Sequence, residues 1–316
     1  MAVKRKLNKR TNARIPLSDL FEDFVQEKKA HNLSPSSIRS YRQSFEKFTK
    51  FTNTTTKDIS QRTIFVWISA LMQKETKVTT INHYLRGIRA FFYWCMNNSY
   101  IEPFKISQLK CQETIKETYT IDEQKRLIEK PRSNATFVEW RTWAVINWIL
   151  ATGNRASTII NIRISDLKFP QREIILQHTK NKKVQIIPMS SALEIVLKEY
   201  LRTWRNGALE SSFLFCNIGE EKLTYNGLRI GVAKYNHSRS VLKTSIHAFR
   251  HTFAKHWILA TGDVFRLQKL LGHSTLEMTR RYVNMFDDDL KDNFDNYNPL
   301  DRLKAGKSRK QTITKS

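Results

Sequence analysis

Three cysteines, Cys95, Cys111 and Cys216, are all that the 316 residues offer. They are odd in number, widely spaced and without a CxxC pair. That excludes a disulfide framework and a thiolate zinc site, and fits a reducing compartment. Long apolar runs are also missing: the longest, Trp143 to Ala151, already contains Asn147 and falls far short of the roughly 20 residues a membrane span requires. The N-terminus has no apolar signal core, so a soluble, unexported, cytoplasmic protein without a membrane partner is expected. No internal repeat and no low-complexity segment stand out beyond the basic termini.

Negative charge is scarce as well. Against 29 Asp and Glu stand 54 Lys and Arg, a net charge of +25 with a pI near 10, and a polyanion is the natural partner. Lys4, Arg5, Lys6, Lys9, Arg10 and Arg14 crowd the start, and Lys304, Lys307, Arg309, Lys310 and Lys315 the end; without these eleven the body still carries +14. Large side chains are plentiful, with 7 Trp, 18 Phe and 10 Tyr in a chain that is 40% apolar, enough for two compact domains.

After a basic arm over 1–15, Leu17 to Ala30 places Leu20, Phe21, Phe24 and Val25 on one helical face, with Ser18 as a capping residue. Ile38, Tyr41, Phe45, Phe48 and Phe51 form a second stripe, Ile64, Trp67, Ile68 and Leu71 a third, and Ile81, Tyr84, Leu85, Ile88, Phe91, Phe92 and Cys95 a fourth. Residues 16–100 thus read as an all-α domain. The aperiodic stretch 101–118, with Pro103, reads as a linker. In 119–300, Ile121 to Lys130, Trp140 to Ala151 and Ala192 to Trp204 read as helices, while Glu173 to Gln177 and Val184 to Ile187 read as strands about a polar turn. The fold class is mainly α with a small β-sheet, followed by a basic tail over 301–316.

Five short stretches of this second domain carry chemically able side chains. Arg155 follows a glycine turn in Ala-Thr-Gly-Asn-Arg; His178 to Lys183 make a basic turn with Lys180, Lys182 and Lys183; His247 and Arg250 stand three apart on one helical face; His273 follows Leu271-Gly272; and Tyr282 comes nine residues later after Arg280-Arg281. His247 and His251 at i, i+4, with His256 nearby, could be taken for a metal pair, but no Glu lies between them as in a zinc-protease helix and no carboxylate or Cys completes a shell.

In order and spacing these stretches resemble the boxes of the tyrosine recombinase or phage integrase family: Thr152-Gly153-x-Arg155, His247-x-x-Arg250, Leu271-Gly272-His273 and Arg281-Tyr282. The resemblance spans roughly residues 16 to 300 and implies an N-terminal core-binding domain, a mixed α/β catalytic domain and a clamp around duplex DNA. Two positions depart from the common pattern, Asn154 where an apolar residue is usual and Thr158 where Glu is usual.

The implied activity is site-specific DNA strand exchange through a 3′-phosphotyrosine. Tyr282 is the implied nucleophile, since a phenol with an ordinary pKa near 10 ionises far more readily than Ser or water and its ester conserves the energy of the broken bond. Arg155 and Arg250 would hold the non-bridging oxygens with planar forks. The resemblance makes Lys180 the general acid, in a turn it shares with Lys182 and Lys183; His247 an acid/base near the tyrosine; and His273 a donor to the phosphate. No metal or other cofactor is expected. Double-stranded DNA, self-association into a tetramer and an accessory directionality factor are the implied partners. Arg39, Arg42, Arg86 and Arg89 are candidates for DNA contact or for ordinary solvated faces. An apolar stripe of Leu290, Phe294, Tyr297 and Leu300 behind Asp287 to Asp289 suggests a terminal helix that docks on a neighbouring protomer or on its own domain. Religation without exchange, as in a type IB topoisomerase, and non-catalytic DNA binding are the competing activities.

Overall fold

The computed structural model describes residues 15–52, 55, 58–111, 117–177, 184–261 and 263–284. Two compact units divide at Thr114 and Ile115. The basic arm up to 14, Lys180 with its neighbours 178–183, the proposed terminal helix and the tail lie outside the described residues.

The first unit is built on four helices, α1 (Leu17–Ala30), α2 (Pro35–Thr49), α3 (Gln61–Gln73) and α4 (Val78–Asn97). Their apolar stripes close on a core that includes Phe24, Phe48, Trp67, Leu85, Phe91 and Phe92. Phe91 meets Phe21 and Phe45 edge-on, with ring centroids 5.2 and 5.4 Å apart, an arrangement that adds to simple burial. The helices α2 and α4 cross where Ser44 faces Gly87; a Cβ on Gly87 would lie 2.4 Å from Ser44 Oγ, so only glycine permits this approach.

Three sequence expectations shift here. Ser18 does not cap α1: the preceding residue is Pro16 and the Ser18 hydroxyl bonds Asp19 inside the first turn. Phe51 lies beyond the end of α2 and is exposed. The start of the supposed linker is part of the packed unit, with Ile101 and Ile106 in the core and Asn82 exchanging two hydrogen bonds with the backbone of Leu109.

The second unit comprises α5 (Ile121–Ile128), α6 (Phe137–Thr152), α7 (Ala156–Ile159), β1 (Leu167–Lys168), β2 (Glu173–Leu176), β3 (Gln185–Pro188), α8 (Ser191–Trp204), α9 (Tyr225–Ser238), α10 (Ile246–Thr261), α11 (Val264–Leu271) and α12 (Leu276–Asn284). The strands form one antiparallel sheet in the order β1-β2-β3, with Ile174 opposite both Leu167 and Ile187. α6 is the central element: α5, α8, α9 and α10 all pack on it, and Trp143, Val145, Ile146, Trp148 and Ile149 are buried on its several faces. A helix covered on all sides needs no amphipathic stripe. Thr136 and Glu139 start it with a reciprocal capping box. Among the described residues no helix is long and apolar enough to cross a membrane.

Candidate active site

The site forms where the C-terminal end of α6, the middle of α10 and the loop between α11 and α12 converge. α6 ends at Gly153 in the left-handed region, φ +64°. A Cβ there would lie 2.4 Å from the Phe253 ring and 2.7 Å from Leu271 Cδ2, so glycine is needed for its conformation and for the space. The turn delivers Arg155 to the start of α7. Of the two positions that depart from the family pattern, buried Asn154 accepts from Trp148 Nε1 at 3.0 Å, and Thr158, also buried, donates its backbone N–H to Arg155 O at 2.9 Å.

α11 ends at Gly272, also left-handed at φ +60°. A helix end leaves carbonyls without helical partners, and here side chains take them up. Leu271 O accepts from Arg155 Nη1 at 3.3 Å and from Arg250 Nη2 at 3.0 Å. Gln185 on β3 donates to the carbonyls of Lys269 and Leu270. Arg250 is further fixed by Gly153 O at 2.7 Å and His273 Nε2 at 2.8 Å. The two guanidiniums therefore share a carbonyl, and among the described residues neither has a carboxylate within ion-pair distance. Burial and the neighbouring Arg155 pull the Arg250 pKa down to about 10; Arg155 is lowered by burial alone among the opposing causes. Both remain charged at neutral pH, held by dipoles and open to an anion.

His273 stands beside this pair. Burial, then Arg250 and Arg155, push its pKa down to about 3, so the neutral ring accepts from Arg250 at Nε2 and its Nδ1–H donates to Thr279 Oγ1 at 2.8 Å. In this arrangement it orients an arginine; donation to a phosphate would require the Nε2 proton. His247 lies one turn before Arg250 with much of its side chain open to solvent, and desolvation of its covered part, then the same two arginines, lower its pKa.

Tyr282 comes from α12 and is buried, its ring among Phe253, Leu267 and Leu271. It lies parallel to His273, with centroids 6.1 Å apart and planes 5° apart. Its hydroxyl is 3.2 Å from Nδ1 of His251. Arg155, Arg250, His247, His273 and Tyr282 are thus brought together from four chain segments, while Lys180 lies outside the described residues. His251, whose Nδ1 meets the Tyr282 hydroxyl, is a site neighbour that the sequence did not single out. Its signal was its place directly after Arg250, which the sequence reading took up only as half of a discounted metal pair. Among the described residues no group of three or more His, Cys, Asp or Glu is placed to hold a metal.

Beside the arginines a cleft of about 540 Å³ opens, lined by Asn154, Arg155, Arg250 and His273 on one side and by Val184 with Gln185 to Ile187 of β3 on another. A family model described as "Phage integrase family" matches residues 117–288, more than half of the chain, and one described as "Phage integrase, N-terminal SAM-like domain" matches residues 20–102. The chain belongs to the phage integrase family. Among curated members, Tyrosine recombinase XerC of Thermodesulfovibrio yellowstonii is 27% identical over 279 residues, covering 85% of this chain and 92% of its own. Tyrosine recombinase XerD of Listeria innocua is 26% identical over 302 residues, covering 90% and 99%. The Tn1549 transposon integrase, solved with transposon right-end DNA, superposes with a TM-score of 0.70 at 20% identity over 88% of this chain and 99% of that one, a likeness of fold. As a tyrosine-type integrase the chain is a DNA strand transferase that performs site-specific recombination.

Proposed function

We propose that Tyr282 is the nucleophile that cuts one DNA strand, joining its 3′ phosphate to the phenolic oxygen, and that Arg155 and Arg250 hold the non-bridging oxygens in the transition state. The observation that carries this reading is the pair of guanidiniums with no carboxylate in ion-pair distance among the described residues, fixed on the Leu271 carbonyl within the electrostatic reach of Tyr282. Fixed charges aimed where negative charge grows stabilise the transition state without reorganising. The Oη–P bond forms as the P–O5′ bond breaks. Lys180 protonates the departing 5′ oxygen, His273 orients Arg250, and His247 stands on the phosphate side as an acid/base. Rejoining runs the same steps in reverse on a 5′ hydroxyl from the partner strand.

Duplex DNA is the substrate, and four copies on two sites would supply the four cuts that full exchange requires. An apolar terminal helix over 287–300 docking on a neighbouring copy would couple them. We place the protein in the cytoplasm, acting on a mobile element or a replicon with or without an accessory directionality factor. A suicide substrate nicked near the cleavage point tests the chemistry: the parent traps a covalent protein–DNA adduct, Tyr282→Phe traps none, and a parent that traps none refutes the reading. Recombinant products from a two-site plasmid, as against relaxation alone, separate exchange from religation of the same strand.

A further inference from the structure

The imidazole in contact with the Tyr282 hydroxyl is that of His251, at 3.2 Å through Nδ1. His247, the expected acid/base, lies one turn earlier on α10 and is exposed. We infer that His251 orients the Tyr282 hydroxyl and takes its proton as the tyrosine attacks. This assignment rests on Tyr282 being the nucleophile.

The neighbours of the hydroxyl decide it. Arg155 and Arg250 are donors only and cannot receive a proton. His273 lies parallel to the tyrosine ring, and its two nitrogens are engaged by Arg250 and Thr279. His251 instead tilts against the ring, with planes 52° apart and centroids 5.5 Å apart, and turns a nitrogen toward the oxygen. It directly follows Arg250 on α10, whose guanidinium is held by Gly153 O, Leu271 O and His273. Accepting at Nδ1 puts the ring proton on Nε2.

The step balances. Tyr282 Oη bonds to phosphorus, its proton passes to His251 Nδ1, the P–O5′ bond breaks, and the 5′ oxygen takes a proton from the general acid. On rejoining, the imidazolium returns its proton to the departing phenolic oxygen. The charged and titratable groups around the pair are Arg155 at the start of α7, Arg250 and His247 on α10 with Lys255 one turn beyond His251, and His273 ahead of α12. The arginines favour a developing phenolate, so the base need accept the proton only as the Oη–P bond forms.

Single-turnover adduct formation on the suicide substrate, measured from neutral to alkaline pH, tests this. His251→Ala and His251→Gln are expected to bind DNA as the parent does and to react about 10²-fold more slowly near neutrality, with rates that climb with pH as the phenol ionises unaided. A fluorinated tyrosine at position 282, with a more acidic phenol, should recover most of the rate lost in His251→Ala and none of that lost in His247→Ala. Parent-like rates in both His251 variants overturn the inference. So does a loss that neither pH nor the fluorinated tyrosine changes, which marks packing alone, and so does rescue of the His247 variant instead. An adduct formed by the parent and lost in Tyr282→Phe, beside unaffected His251 variants, overturns this inference and leaves the nucleophile standing; absence of the parent adduct overturns both.

Discussion

Replacing Gly153 by Ala perturbs the turn on which the site depends, and the expected damage can be worked out from the coordinates. At φ +64° an L-residue costs about 1–2 kcal/mol more than glycine. The added Cβ would lie 2.4 and 2.9 Å from Phe253 carbons and 2.7 Å from Leu271 Cδ2, and forcing a methyl into such packing costs about 1–3 kcal/mol. Together these remove about 2–5 kcal/mol, a fall in Tm of roughly 4–20 °C for a unit of this size. Gly207 provides the control: it has φ +79° with nothing within 4 Å of its Cβ position, so Gly207→Ala should suffer the conformational cost alone, about 1 kcal/mol. The functional effect should exceed the loss of folded protein. Leu271 must yield to the new methyl, and its carbonyl holds Arg155 and Arg250; misplacement approaching an ångström can slow a reaction about 10²-fold. Thermal melts of both variants, and single-turnover cleavage well below their melting points, provide the assay. Equal melting points for the two alanine variants, or parent-like cleavage by folded Gly153→Ala, would refute the reasoning.

The depressed pKa of His273, about 3, makes stability depend on pH: the unfolded chain binds a proton below about 6.5 that the folded ring refuses, so stability is full above that pH and declines toward pH 3, by about 1.4 kcal/mol per pH unit at most. His247 and His256 shift in the same direction. Denaturant titrations of the parent and His273→Asn across this window should show a shallower slope in the variant, and equal slopes contradict it. Lys180, as general acid, is expected to be dispensable for a substrate whose leaving 5′ oxygen is replaced by sulfur: Lys180→Ala should cleave it at close to the parent rate while failing on ordinary DNA, and rescue of a Lys182 or Lys183 variant instead would move the role. Arg39, Arg86 and Arg89 are exposed, but Arg42 is bonded through both terminal nitrogens to Glu22. Binding titrations against salt should therefore lose close to one counterion of slope on Arg39→Ala or Arg86→Ala and less on Arg42→Ala, and the opposite order would remove the first two from the interface.

Helices whose one side is buried announced themselves by period. α1 was legible end to end because Leu20, Phe21, Phe24 and Val25 are, with Leu17, the residues it buries, and α3 likewise through Ile64, Trp67, Ile68 and Leu71. Where the environment is not two-sided, the signal fades. The start of α6 lay three residues before its anticipated beginning at Trp140, because a helix buried all round has no polar face to mark its extent. α9, with Gly227 and Gly231 among its residues, went unread, and β1 is only two residues long.

The candidate site residues stood out for a different reason: they are side chains whose types and order are distinctive even though they lie far apart in the chain. What arranges them is largely backbone. The carbonyls of Gly153 and Leu271 bind the two arginines, and a carbonyl has no letter in the sequence; only the glycines that turn it outward do. This explains why Gly153 and Gly272 belong to the recognisable boxes although neither can take part in chemistry. A carboxylate in place of those carbonyls would hold the arginines more tightly, but it would also neutralise the charge that the phosphate needs. Dipoles at the end of α11 fix the guanidiniums while leaving their net charge intact. A site that must bind an anion strongly only as it gains charge is better served by partners of that kind, and the two glycine turns are the means by which this chain provides them.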